Sequence, residues 1–170
     1  MPSDLWSFTF NLYTQPGVEQ ACLRLQASGA NVCTLICGAW LGQRGVICSV
    51  ERLSEIRQLA TPWHDAVVQP LRALRTQWRM AAADDAEWGA LRQQVKGLEL
   101  DAERTLLARL EILTQGWPVG VAEDLVAWLE GLAADAAREN PPRAAGAARR
   151  GGPALRSAGW GSRRCRYRWS

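Results

Sequence analysis

"VCTLICGAWL", residues 32–41, is the stretch on which the fold turns. Apart from Thr34 it is apolar on every side, so it belongs in an interior, yet it is short enough to fit two structures. As a helix it would be a rod buried all round, with Asn31 as its cap. As a strand, residues 32–37 could pair with residues 45–50 in a hairpin across "GAWLGQRG". The helix is the better reading. Gly38 and Ala39 would let neighbouring helices approach closely, and the rest of the chain offers no further strands for a sheet.

Working outward, periodicity predicts helices on both sides. Upstream, Ser3 can cap "DLWSFTFNL", whose Leu5, Trp6, Phe8 and Leu12 make a crowded apolar face. "YTQPG" then turns the chain, and Pro16 suits the first turn of a second helix through Leu25. Downstream, Ser49 opens a short helix over residues 51–59, with Leu53, Ile56 and Leu59 at spacings of three. Thr61 and Pro62 read as the start of another, running to about Met80. In it Trp63, Val67, Leu71, Leu74 and Trp78 form one core-facing stripe. Pro70 lacks the N–H that would bond the carbonyl of Ala66, so a bend is expected there.

The longest periodic segment follows "AAADD". Asp84 can cap it, with Glu87 in the capping-box position. Trp88, Leu91, Val95, Leu98, Ala102, Leu106, Leu110 and Leu113 mark its face. A last helix over residues 121–137 carries Glu123 and Asp124 at its positive end. The expectation is an all-α orthogonal bundle of about six or seven helices over residues 1–140, followed by a disordered Arg/Gly/Pro-rich tail over residues 141–170.

Charge divides the chain at the same place. Up to Asn140 there are 12 Lys/Arg against 17 Asp/Glu, a net −5; from Pro141 onward eight arginines and no acidic residue give +8. The overall +3 therefore describes neither part, and nucleic-acid binding by the body is not implied. The tail's Arg163, Arg164, Arg166 and Arg168, interleaved with Tyr167 and Trp169, could neutralise phosphates and stack on bases; a dispensable extension is the plainer reading. Five scattered cysteines fit no secreted disulfide framework. Cys33 and Cys37, one helical turn apart, read as small buried hydrophobes rather than metal ligands. With no signal-like N-terminus and no span long enough to cross a membrane, a cytoplasmic protein without membrane attachment is expected.

The functional candidate is a second stripe on the residue 62–80 helix. His64, Val68, Arg72, Arg75 and Arg79 lie beside the core face, and three guanidiniums so placed could grip an acidic peptide, a phosphate or a carboxylate. A solvated flank is the plainer alternative. His64 is the sole histidine, which argues against a histidine-rich metal site or a Ser–His–Asp relay, though its ordinary pKa near 6.5 suits acid–base work. No catalytic residue, metal or cofactor is assigned. Acidic runs such as "ELDAE" read as solvated, and no phosphate loop, dinucleotide fingerprint or nucleophile elbow is present.

"FNLYTQPGVEQACLRLQASGANVCTLICGAWL", followed by "VVQPLRALRTQWR", resembles a family of short proteobacterial helical proteins of unknown function, with a loosely defined C-terminal part. The resemblance rests on Tyr13, Pro16–Gly17, Leu25–Gln26, Trp40–Leu41 and the Pro70, Leu71, Arg72, Arg75 set. It departs from the pattern at Ala27–Ser28, where an acidic residue is usual, and at Asn31, where aspartate is. The resemblance implies helix for residues 32–41 and draws attention to Arg72 and Arg75. It implies no activity. The leading expectation is a non-enzymatic adaptor that meets an unidentified protein partner through Arg72, Arg75 and Arg79, with exposed tryptophans as anchors. The alternatives are an enzyme or binder of an anionic metabolite using His64, and weak nucleic-acid binding through the tail. Guanidiniums locked to carboxylates of their own chain would remove the adaptor surface.

Overall fold

The computed structural model describes residues 4–121 and 124–139, and no strand occurs among them. The helices are α1 (Leu5–Tyr13), α2 (Val18–Ala27), α3 (Val32–Gln43), α4 (Val50–Trp63), α5 (Gln69–Gln77), the single turn α6 (Ala81–Asp84), α7 (Ala86–Thr114) and α8 (Leu125–Glu139). A π-helical segment, His64–Val68, joins α4 to α5 without a break. The all-α class expected from the sequence is what forms. The 141–170 tail lies outside the described residues.

The deciding stretch is a helix, and its two ends explain why. Asn31 accepts the backbone N–H of Cys33 at 3.1 Å, capping the start. At the other end Gly45 takes φ +71°, its N–H bonds the carbonyl of Gly42 at 3.1 Å, and that of Val46 bonds Leu41 at 3.0 Å. This pair of bonds closes a helix around a left-handed glycine and satisfies its last carbonyls. Gly29 ends α2 in the same way, with φ +91°. A hairpin over residues 32–50 would have needed Gly45 in a strand; here it is a cap.

Almost all of α3 is buried, including Leu35, Ile36, Cys37, Trp40 and Leu41. Its most extensive partner is α8, and glycines set the spacing. A Cβ on Gly42 would lie 2.7 Å from the Cα of Leu125, and one on Gly38 2.7 Å from Cδ1 of Leu132. Trp128 of α8 fills the seam completely, donates its indole N–H to the Val46 carbonyl at 2.8 Å and stacks on Trp117. Leu5 of α1, Leu53 and Ile56 of α4, and Leu106 and Leu110 of α7 complete one core. Cys22, Cys33 and Cys37 are buried free thiols.

Several local expectations need correcting. Asp4, not Ser3, caps α1, accepting the Ser7 N–H at 2.7 Å. Asp85, not Asp84, caps α7, accepting from Glu87 and Trp88. The short 51–59 helix and the 62–80 helix are one rod: Ser49 caps it as expected, while Thr61 and Pro62 sit inside α4. No helix among the described residues is long and apolar enough to cross a membrane.

Candidate functional site

Pro62 and Pro70 each remove one donor from the rod, and between them the backbone widens. The N–H of Gln69 bonds the carbonyl of His64, five residues back instead of four. That extra residue per turn rotates everything downstream. The predicted core stripe of Trp63, Val67, Leu71, Leu74 and Trp78 is only half-buried. The stripe read as a flank turns inward instead: His64 is 5% exposed and Val68 1%.

Inward means against α7. Trp63 anchors the crossing by donating its indole N–H to the Ala102 carbonyl at 3.0 Å, with the Arg109 guanidinium over its ring. The N-terminal half of α7 is also rotated from its expected face. Trp88, Leu91 and Leu98 are exposed, whereas Glu99 is buried beside Val95 and Ala102. The "ELDAE" run is therefore not a solvated face at Glu99.

Glu99 is the hub of the junction. Its Oε1 accepts from Arg72 Nε at 2.9 Å and from Arg75 Nη2 at 3.2 Å, and its Oε2 takes Arg75 Nε. Arg72 also reaches Glu103, donating Nη2 to Oε1 at 2.6 Å. Arg92 tightens the frame by donating to the Arg75 carbonyl at 2.9 Å. The expected outward surface of Arg72 and Arg75 is thus not presented. Rotation by the π-helical turn carries both into pairs with α7, leaving their side chains 14% and 22% exposed. Arg79 is on the exposed turn after α5 and stands outside these ion pairs. Arg163, Arg164, Arg166, Tyr167, Arg168 and Trp169 lie outside the described residues.

Pairing does not use every polar atom. Arg72 Nη1 is buried without a hydrogen-bond partner, and so are both ring nitrogens of His64. Burial pushes the His64 pKa below its ordinary 6.5, and the nearby Arg72 charge adds to this against a weaker pull from Asp65. Burial also pushes the Glu99 carboxyl up, but its bonds to Arg75 and Arg72 outweigh that and hold it below the usual range. Glu103 goes the other way: burial dominates, and Arg72 only partly offsets it. Behind Glu103 lie Tyr13, Cys22 and Cys33, all pushed up chiefly by burial, with Cys33 Sγ 4.0 Å from the Glu103 carbonyl. Thiols so held are poor nucleophiles. Among the described residues no three His, Cys, Asp or Glu side chains converge as a metal site.

Sequence reasoning brought His64, Arg72 and Arg75 together but missed Glu99 and Glu103. The available signal was their i, i+4 spacing, with Glu99 four residues after Val95 and Glu103 next to Ala102. Among known proteins, the family model described as "Protein of unknown function (DUF2390)" matches residues 4–110. That span contains every member of the junction. No curated protein and no solved structure matches the chain significantly.

Proposed function

The chain belongs to the family of proteins of unknown function DUF2390, and from that premise we propose that it binds a small anionic molecule at the junction of His64, Arg72 and Arg75. One observation supports the reading above the others: Arg72 Nη1 and both nitrogens of the His64 ring are buried polar atoms without partners in the same junction. An orphaned buried polar group costs about 1–3 kcal/mol, and charged ones more. Polar groups kept at that cost, beside an arginine pair already braced by carboxylates, suit a ligand that brings its own acceptors.

Recognition of a protein through Arg72 and Arg75 is less well supported, because those guanidiniums are spent on Glu99 and Glu103 and face α7. In the binder, Arg72 is the clamp, Arg75 shares its brace on Glu99, and His64 addresses the ligand as a neutral imidazole. A neutral imidazole can also accept a proton, so the same site would serve a small enzyme with His64 as base.

Thermal unfolding with millimolar acetate and, in parallel, acetamide tests the reading. A ligand that binds only the folded chain raises its melting temperature by mass action. Acetate is expected to raise it and acetamide to leave it unchanged. Equal responses to both would refute anion binding here.

A further inference from the structure

Resting on the reading just given, we propose that the ligand is a small monocarboxylate with a hydroxyl next to the carboxylate, and not a sulfate- or phosphate-like oxyanion. Charge argues first. The junction sets two guanidiniums against two carboxylates, so most of its positive charge is already neutralised within the chain. On Arg72 one guanidinium nitrogen, Nη1, is buried without a partner. A single carboxylate oxygen meets that demand. A divalent oxyanion would bring a second charge into a buried place that holds Glu99 and Glu103, with no second open guanidinium nitrogen of Arg72 to meet it.

Hydrogen bonding argues second. Every donor in Arg72 wants an acceptor, but a neutral imidazole offers one N–H and one lone pair, and both His64 nitrogens are unpartnered. A ligand with acceptors only would leave the ring's lone pair unmet. A hydroxyl beside the carboxylate supplies the missing donor, while the carboxylate accepts from Arg72. The groups surrounding His64 fit this division. Asp65 and Arg72 are the charged groups that act on it, its backbone N–H is taken by the Ala60 and Thr61 carbonyls, and Glu99 and Glu103 of α7 are already bound by Arg72.

Calorimetric titration of the full chain at pH 7 with glycolate, acetate, sulfate and phosphate separates the two claims. His64 ring resonances are followed in the same samples, and the chain has only one histidine to assign. Glycolate is expected to bind at least about tenfold tighter than acetate, the worth of one added hydrogen bond in a closed site, and to beat both oxyanions by more. Acetate equal to glycolate, or either oxyanion as tight as glycolate, would overturn the ligand class while anion binding stood, provided the His64 signals moved. Failure of all four to shift those signals would overturn the binding site itself. Wild-type protein answers every arm, so no variant needs to fold.

Discussion

The α3–α8 seam and the crossing of the α4–α5 rod over α7 are built on opposite principles. At the seam, glycines remove side chains so that backbones can close on one another, and Trp128 fills what remains with a satisfied indole. At the crossing, long charged side chains hold the helices together, while Arg72 Nη1 and both His64 ring nitrogens are buried without a partner. The first arrangement spends its residues on stability. The second keeps residues that cost stability, and such residues are where a site is sought.

Trp128→Ala should strike the seam hardest, costing about 4 kcal/mol through the cavity and the lost hydrogen bond to Val46. Urea unfolding measures it. Glu99→Ala should cost about 3 kcal/mol, since it removes the carboxylate that Arg72 and Arg75 share. Replacing Glu99, Glu103, Arg72 and Arg75 together by Leu, Leu, Met and Met should recover much of that loss, because a buried ion cluster contributes little against apolar packing of like volume. No comparable rescue exists for Trp128. If the quadruple variant were as unstable as Glu99→Ala, the contrast between the two regions would fail.

Gly42→Ala should cost about 2 kcal/mol by forcing α3 from the Leu125 backbone. Leu98→Ala, at a position that periodicity assigns to the core, should change stability by less than about 0.5 kcal/mol because the side chain is exposed. A large loss there would mean that α7 keeps its predicted face.

That last pair shows what the sequence could and could not reveal. The all-α class was legible because Asn31 caps an apolar run of helical length with no further strands to pair with it, and because Leu106 and Leu110 hold their period where α7 meets the core. The crossing was not legible in the same way. Thr61–Pro62 carries a good start signal, yet tertiary packing keeps the helix running, and a single π-helical turn then shifts the phase by one residue. Period alone cannot see that insertion, so it placed Leu71 and Leu74 on the core side and Arg72 and Arg75 on the flank. Glu99 was missed for a related reason: a buried glutamate looks like a surface one until its arginines are known to face it.

The smallest effect is in pH. Because burial lowers the His64 pKa in the folded chain, the unfolded chain binds more protons once the pH falls below about 6.5. The contribution of neutral His64 is therefore fully present above that value and is lost progressively as the pH drops toward its folded pKa. His64→Asn should flatten this segment of the stability profile, followed by urea midpoints from pH 7.5 to 5.

The most direct measurement is the NMR titration of the His64 ring, with and without a small carboxylate. A ring that stays neutral below pH 6.5 and whose resonances shift when the carboxylate is added would fit a closed site beside Arg72. A ring that titrates as a free imidazole does, and ignores the anion, would contradict it.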